Sequence, residues 1–370
     1  MARKERKQKR HRNGFVSVVN GLLSLIVLGL LGVGAVIVYG AHQFYAPGPL
    51  AEETTFTVER GNGLSTISSR LEGLGLIDNR YIFQFGSWAL KKQTAIRAGE
   101  YRITANASMA DVLREITEGR AIQYGVTIPE GFTAWQAITR VNEDTNLVGE
   151  IAQMPVEGTL LPNTYNYERG ATRQSVVDQM QAAMTEQLAE IWASRAPDLP
   201  IETPEEMVIL ASIVEKETGL ASERDRVAAV FINRLKRGMR LQSDPTIIYG
   251  ITKGESVLGR GLRRSEIEEQ TPYNTYQIDG LPPTPIANPG VESLRAVANP
   301  AQTNDLYFVA AGPVPSDGHV FAETYDEHRR NVARWREIER AAAEAAEVEA
   351  EEAKDAIEAE EAGEPVPAQP

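Results

Sequence analysis

The run TPEEMVILASIVEKETG, residues 203–219, carries the clearest helix signals in the chain. Thr203 is a good N-cap, and Pro204 suits the first helical position. Glu206 stands at the third helical position, where glutamate is favoured. Gly219 suits the position just past the end of a helix. The sequence therefore predicts one helix between Thr203 and Gly219.

Glu217 lies among apolar residues on this predicted helix. At roughly 100° per residue, Leu210 and Ile213 fall within about 40° of Glu217, whereas Glu215 lies about 160° away. The two carboxylates therefore do not face each other. Desolvation raises the pKa of a glutamate from about 4.3 toward neutrality, which suits a general acid. Glu217 is thus a candidate catalytic acid.

Glu217 also has a structural alternative. Near a helix end it could form a buried salt bridge, and structural ion pairs perturb pKa values as catalytic sites do. The candidate partners are Arg224, Arg226 and Arg234. The helix by itself leaves both interpretations open.

Composition excludes several kinds of chemistry. The 370 residues include no cysteine, so no disulfide, thiol nucleophile or thiolate metal site can form. The four histidines lack the spacing of a metal pair, and no P-loop, HExxH, GxSxG or SxxK pattern occurs. We therefore expect no metal and no cofactor. The net charge of -13 argues against nucleic acid as a partner.

Phe15 to Tyr39 is an uncharged apolar run near the N-terminus. As a helix it would be about 37 Å long, enough to cross a hydrocarbon core of about 30 Å. A cleaved signal peptide would have a shorter apolar region and an A-x-A-like site, which is missing here. We therefore predict one uncleaved transmembrane helix. Seven basic side chains within residues 1–14 favour a cytoplasmic N-terminus, with everything after His42 outside a bacterial inner membrane.

The rest of the chain divides into two α+β regions and an acidic tail. Residues 54–124 alternate short strands with short amphipathic helices, and a larger mixed region follows the Pro129-Glu130-Gly131 boundary. Beyond Ile338 eleven carboxylates leave little apolar surface to bury. The predicted class is α+β, in the segments 1–14 (basic cytoplasmic tail), 15–39 (transmembrane helix), 54–124, 125–335 and 336–370 (acidic helical or disordered tail).

Local signals predict further elements. The helices expected by cap and periodicity are those opened by Ser108, Thr133, Thr172 and Thr324, and a hairpin is expected from Leu306–Ala310 and His319–Glu323. We also interpret residues 46–49 as a linker, Ser222 as the N-cap of the following helix, and Asp244-Pro245-Thr246 as a turn.

A series of ordered blocks follows the first helix. They read ASIVEKET (211–218), ASERD (221–225), VFINRL (230–235), GMRLQSDPT (238–246), IYG (248–250), TPYNTY (271–276) and GLPP (280–283). Together they resemble the YceG-like endolytic murein transglycosylases, the MltG family. Weaker similarity extends from about Thr54 to about Trp335, including Glu157-Gly158 and residues 161–165.

This resemblance implies a fold and a chemistry. Residues 54–124 would be a LysM-like domain, for which glycan binding and a purely structural spacer remain alternatives. Residues 125–335 would be the catalytic domain, with Glu217, the second Glu of EKET, as the single acid/base. A lytic transglycosylase protonates the oxygen leaving N-acetylmuramic acid and closes a 1,6-anhydro ring without water. One departure from relatives is Leu and Asn at 160–163, where many carry aromatic residues and Asp.

Other polar residues in or near the blocks are candidates for substrate binding or support. Their side chains could bind acetamido and hydroxyl groups or stabilise an oxocarbenium-like transition state. They are Glu223, Asn233, Gln242, Asp244, Asn274 and Tyr276. Tyr249 and Tyr273 are interpreted as packing residues.

Three functions remain in competition. The first is a membrane-anchored lytic transglycosylase acting on nascent peptidoglycan strands. The second is a hydrolytic muramidase that pairs Glu217 with Asp244 or Glu223. The third is a non-catalytic peptidoglycan-binding scaffold. Expected partners are glycan strands, the membrane and, for an enzyme that cuts nascent strands, wall-synthesis enzymes.

Overall fold

The computed structural model describes residues 14–362. They form two compact units, one with the residues up to Tyr124 and Glu168–Gly170, the other with Gly125–Tyr167 and the residues from Ala171 onward. The α+β class and an apolar N-terminal helix are confirmed. The assignment of LysM-like and catalytic domains stays a prediction. The basic cluster within residues 1–13 and the chain end at 363–370 lie outside the described residues.

The first helix, α1, runs from Gly14 to Tyr45. Its stretch Ser17–Tyr45 is long and apolar enough to cross a membrane, by length and composition. It ends six residues later than the predicted Tyr39, because the helix continues through Gly40 and the first proline is Pro47. The segment predicted as a linker is packed against its unit, with the Gly48 N–H donating to the Asn106 carbonyl over 3.2 Å.

The first unit places helices on one face of a two-stranded sheet. Phe56 of the strand β1 (Thr54–Val58) and Tyr101 of the strand β2 (Gly99–Ile103) point into its core. The predicted cap of the helix α4 (Met109–Glu118), Ser108 with Asp111, is present as a capping box. The helix at Arg80–Ala89, α3, was not predicted from the sequence. The elements after α1 are β1 (Thr54–Val58), α2 (Leu64–Gly73), α3 (Arg80–Ala89), β2 (Gly99–Ile103) and α4 (Met109–Glu118), with β1 and β2 antiparallel.

The remaining elements are mostly helical. In chain order they are β3 (Gln123–Thr127), α5 (Ala134–Glu143), β4 (Thr164–Glu168), α6 (Arg173–Ala193), α7 (Pro204–Glu217), α8 (Arg224–Lys236), α9 (Asp244–Thr252), α10 (Arg264–Glu268), α11 (Val291–Ala298), β5 (Tyr307–Ala310), β6 (His319–Ala322) and α12 (Tyr325–Ala362). The caps by Thr133, Thr172 and Thr203 and the β5–β6 hairpin are confirmed.

α7 is the central helix of the second unit. It packs against α8 and α11, and Met207 to Val214 are all buried. On the side of α7 that carries Glu215, Val208 and Ser212 are only 5% and 0% exposed. This part of α7 is therefore buried on all sides and is not amphipathic. Helix geometry therefore distinguishes Glu215 from Glu217 by the direction of the side chain and not by its exposure.

Two local predictions were wrong. Ser222 does not cap α8, because a 3-10 turn at Ala221–Glu223 precedes the helix and Glu223 occupies the cap position. Asp244-Pro245-Thr246 is not a turn between elements but the start of α9. Proline favours turns and first helical turns for the same reason, its fixed φ and missing N–H, so the sequence did not distinguish them.

Candidate active site

Glu217 is the last residue of α7, and Ser243 stands at the N-cap position of α9. The Ser243 hydroxyl donates a hydrogen bond to Glu217 Oε1 over 2.5 Å. Ser243 is 1% exposed, whereas the Glu217 side chain is only partly buried. The end of one helix and the start of another thus present a carboxyl group with a fixed hydrogen-bond donor.

Burial raises the pKa of Glu217 to about 7. The Ser243 hydrogen bond lowers it, the negative charge of Asp244 raises it, and the positive charge of Arg234 lowers it, each by less than burial does. A carboxyl group in this state is protonated in a large fraction of molecules near neutral pH. It can donate a proton and take one back.

Glu215 has a different environment. It accepts hydrogen bonds from the Gly290 N–H (2.9 Å) and the Ser293 hydroxyl (2.6 Å), both at the start of α11. An anionic side chain there also suits the positive end of the α11 dipole. Glu215 therefore bonds to the start of α11 and holds α7 to that helix, whereas Glu217 bonds to Ser243.

The salt-bridge alternative fails for the three arginines. Arg224 and Arg226 pair with Glu130 (3.9 Å) and Asp305 (2.6 Å). Arg234 donates to the carbonyls of Leu306 and Leu241. Within residues 14–362 these contacts leave Glu217 without an ion pair, so its perturbed pKa arises from burial.

Two threonine hydroxyl groups hold the backbone of Ser243 in place. The Ser243 N–H donates to Thr275 Oγ1 (2.9 Å), and the Thr246 hydroxyl donates to the Ser243 carbonyl (2.6 Å). Gln242 has a φ of 52°, a left-handed conformation that costs an L-residue free energy and that clusters at functional sites. These contacts hold the backbone of Ser243, from which the hydroxyl reaches Glu217.

Three of the six predicted supporting residues lie near this pair. Gln242 directly precedes Ser243, and the Tyr276 hydroxyl donates to Asp244 Oδ1 over 2.8 Å. Burial first, then Asp244 and Glu217, raise the pKa of the Tyr276 phenol, so it remains a donor. Asp244 and Tyr276 therefore form a polar pair within electrostatic reach of Glu217.

The other three supporting candidates use their polar groups within the fold. Glu223 accepts from the His319 N–H (2.9 Å) and contacts His319 Nδ1 (2.8 Å). The Asn233 amide donates to the carbonyls of Thr303 and Asp305. Asn274 is fully buried and donates to three carbonyls between residues 266 and 269. Their observed contacts fix loops and the β5–β6 hairpin.

Sequence reasoning missed two residues, Ser243 and Glu157. Ser243 lies in the quoted GMRLQSDPT block and directly precedes Asp-Pro, a typical helix start, which was the available signal. Burial raises the pKa of Glu157 to about 7 as well. The sequence signal for Glu157 was that the Glu157-Gly158 pair belongs to the weaker part of the family similarity. Tyr249 and Tyr273 pack with ring centroids 5.2 Å apart, and the Tyr249 hydroxyl donates to Glu157 over 3.2 Å.

Metal binding is a separate question from the hydrogen-bonded pair Glu217 and Ser243. Across the described part of the chain, no group of three or more histidine, aspartate or glutamate side chains is arranged to hold a metal ion.

Comparison with known proteins gives consistent matches. The chain is 28% identical over 364 residues to an endolytic murein transglycosylase of Streptococcus pneumoniae (strain D39), covering 84% of this chain and 64% of that protein. It is 26% identical over 332 residues to an endolytic murein transglycosylase of Bacillus subtilis, covering 80% of this chain and 89% of that one. The match thus spans less than two thirds of the streptococcal relative.

A solved structure is also similar. A YceG-like protein from Listeria monocytogenes shares 26% identity, with a TM-score of 0.46, covering 75% of this chain and 98% of that one. The YceG-like family model matches residues 56–334. Because this match includes most of the chain, and both the α7 helix and the Ser243 segment, the protein belongs to the YceG-like family.

Proposed function

We propose that this chain is a membrane-anchored endolytic peptidoglycan lytic transglycosylase. It would cut MurNAc–GlcNAc bonds in nascent glycan strands, leave a 1,6-anhydro-MurNAc end and so terminate strand elongation. The observation that carries the proposal is Glu217, a carboxyl group with a pKa of about 7 and a fixed hydrogen bond from Ser243. The names of the streptococcal and Bacillus relatives support the substrate.

In the first step Glu217 acts as the general acid. Its protonated carboxyl gives its proton to the oxygen between MurNAc C1 and the next sugar as the C1–O bond breaks. A proton donor works best when its pKa is near the working pH, which is the case here. The sugar that loses the bond develops oxocarbenium-like positive charge.

In the second step the Glu217 carboxylate acts as the base. It takes the proton of the 6-hydroxyl of the same sugar while that oxygen bonds to C1, which closes the 1,6-anhydro ring. Glu217 ends protonated, as it began, and no water is consumed. An intramolecular nucleophile has an effective concentration that can reach about 10⁵ M or more, so a second protein carboxylate is not needed as nucleophile.

Ser243 is a positioning residue in this scheme. Its hydroxyl stabilises the carboxylate between the two proton transfers and fixes the direction of Oε1. Asp244, held by the Tyr276 hydroxyl, would place negative charge near the developing cation. Gln242 and Tyr276 are proposed substrate contacts, whereas Glu223, Asn233 and Asn274 would act through the loops they hold.

The hydrolytic muramidase remains a second candidate, because the charge of Asp244 reaches Glu217. With both carboxylates acting, water would attack and leave a reducing end. Mass spectrometry of products from purified glycan strands separates the two reactions, since anhydro ends are lighter by one water. We expect anhydro ends from the full chain; reducing ends would refute the lyase assignment.

The non-catalytic scaffold is tested with Glu217→Gln. If the chain only binds glycan, this variant leaves glycan strand length in cells unchanged. The proposal expects a folded variant, by circular dichroism, in cells whose glycan strands are longer. An unchanged strand length with the folded variant would favour the scaffold.

Membrane placement is part of the proposal. The apolar Ser17–Tyr45 helix supports a single-pass anchor in the inner membrane, with a cytoplasmic N-terminus and the catalytic region outside. Reporter fusions that are active only in the cytoplasm or only in the periplasm test this when placed at each end. Association with wall-synthesis enzymes, and glycan binding by the LysM-like region, stay predictions.

A further inference from the structure

α3 carries three aromatic side chains on the face that points away from its own core. Phe83 and Ser87 are the buried residues of this helix. At roughly 100° per residue, Tyr81, Phe85 and Trp88 lie on the opposite side. They are 65%, 55% and 65% exposed. Single exposed apolar residues are ordinary, but an aromatic stripe along one helix indicates a binding face.

α3 is fixed to the end of the candidate membrane span. Phe44, in the last turn of α1, is 3% exposed and packs directly on Gly86 of α3. A Cβ at position 86 would lie 2.3 Å from the Phe44 ring, so the glycine permits this close contact. The aromatic stripe is therefore held at one end of α1.

An apolar cleft of about 860 Å³ lies between α1 and α3. On one side its walls include Val33 and Ile37 of α1. On the other side they include Ile82 and Phe85 of α3 and Leu90, which directly follows α3. The cleft is open to the surroundings of α1. The medium around α1 at this level therefore also reaches α3, and around a membrane span that medium is phospholipid.

The length of α1 sets the depth of this region. The 29 residues of Ser17–Tyr45 would rise about 43 Å, whereas about 20 residues cross the hydrocarbon core. The last turns of α1, with Phe44, then reach the headgroup layer. Tryptophan and tyrosine side chains concentrate at that depth, which suits Tyr81 and Trp88.

We propose that α3 lies in the outer headgroup layer of the membrane that α1 spans, with Tyr81, Phe85 and Trp88 inserted among the phospholipids. This inference rests on the proposed membrane anchoring. The first unit would then be attached to the bilayer by two contacts, the span and the α3 surface. An amphipathic helix of this kind lies in the plane of the interface, with its apolar face roughly 5–10 Å deep.

Site-specific labelling tests this proposal, because the chain has no cysteine of its own. The full chain is reconstituted in vesicles of phosphatidylcholine and phosphatidylglycerol whose acyl chains are brominated near the headgroup end. A fluorophore is attached at Phe85→Cys. The matched control is Arg102→Cys in the same unit, since Arg102 is exposed on β2 between Tyr101 and Ile103, which face the core.

We expect bromolipid to quench the label at position 85 several-fold more strongly than the label at 102, and aqueous iodide to do the reverse. Equal quenching at 85 and 102 would overturn the proposal. A label at 85 that neither agent reaches would indicate a protein contact and would also overturn it. Leu90→Cys repeats the test if Phe85→Cys does not fold.

A third label, at Leu28→Cys within α1, separates this inference from the anchoring on which it rests. Quenching at 28 by lipids brominated deep in the chain, without quenching at 85, would leave the anchor intact and reject the α3 contact. Absence of quenching at 28 would reject the anchor, and the α3 proposal with it.

Discussion

Glu157 and Glu217 are two partly buried glutamates whose pKa burial raises to about 7, and they differ in their hydrogen bonds. Glu157 accepts from the Ala134 N–H (2.7 Å), the Tyr249 hydroxyl (3.2 Å) and the Asn288 amide (3.2 Å). These donors come from three separate segments, so Glu157 ties parts of the second unit together.

Glu217 accepts one hydrogen bond within the residues the structure describes, from Ser243 to Oε1. A carboxylate has about four acceptor positions, so this group keeps capacity for a substrate hydroxyl or a glycosidic oxygen. The comparison teaches that a raised pKa alone does not identify a catalytic acid. The number and origin of the donors distinguish a residue that holds the fold from one that is ready to exchange a proton.

Glu217→Gln gives the largest expected effect. Because the amide can neither donate an acid proton nor take one back, we expect the rate of anhydro-product release to fall by about 10²–10⁴-fold. The melting temperature should change little, since one buried acid is replaced by a neutral group of the same shape. Glu205→Gln, the same change at an exposed position of α7, is the control. A Glu217→Gln variant with a rate near wild type would remove Glu217 from the mechanism.

Ser243→Ala tests the single donor. A hydrogen bond to a charged group contributes about 1.5–3 kcal/mol, so we expect roughly a tenfold to hundredfold loss of rate. The Ser243 bond lowers the Glu217 pKa, so its removal raises that pKa. The basic limb of the pH–rate profile, where the acid deprotonates, should therefore move to higher pH. The control is Ser212→Ala, a change at a buried serine of α7, which should leave the pH–rate profile unchanged.

Asp244→Asn should move the same limb in the opposite direction. The Asp244 charge raises the Glu217 pKa, and removing it lowers the pKa, so the loss of activity begins at lower pH. For a lyase with one acid/base we expect a few-fold loss at neutral pH, because electrostatic support is lost but no proton carrier is. A loss as large as that of Glu217→Gln would favour the two-carboxylate hydrolase.

Glu157→Gln should have the smallest effect on activity and should act on stability. The amide NH₂ would face donors that now point at an acceptor, which costs about 1–3 kcal/mol of unfolding free energy. Because the folded-state pKa of about 7 exceeds the ordinary 4.5, the folded chain binds more protons between these pH values, and stability falls as pH rises through them. The variant's melting temperature should vary less over that range. An activity loss per folded molecule would show that Glu157 is not merely structural.

The local structure was largely predictable, because caps and periodicity are local signals. Thr172 opens α6 and Ser108 opens α4 where the sequence indicated. α3 was missed although Asn79 caps it; its exposed aromatic residues Tyr81, Phe85 and Trp88 lie opposite the core, so its apolar residues do not mark one core-facing side.

The site was predictable in part. The direction of Glu217 follows from helix geometry, which the α7 sequence specifies. Its donor does not, because Ser243 is 26 positions away and meets Glu217 only through tertiary packing. The same holds for Glu157 and Asn288, which are 131 positions apart. The role of Asn274 stays a prediction, because a polar side chain that satisfies buried carbonyls has the same sequence signal as one that binds a ligand.

The left-handed backbone of Gln242 has a consequence for engineering. A side chain in that conformation costs about 1–2 kcal/mol, and glycine avoids the cost, so selection for thermostability alone would favour glycine at this position. The same change would give the chain more freedom next to Ser243, whose hydroxyl must point at Glu217. Stability and turnover would then be traded against each other at one residue, so heat resistance gained at position 242 would reduce the rate.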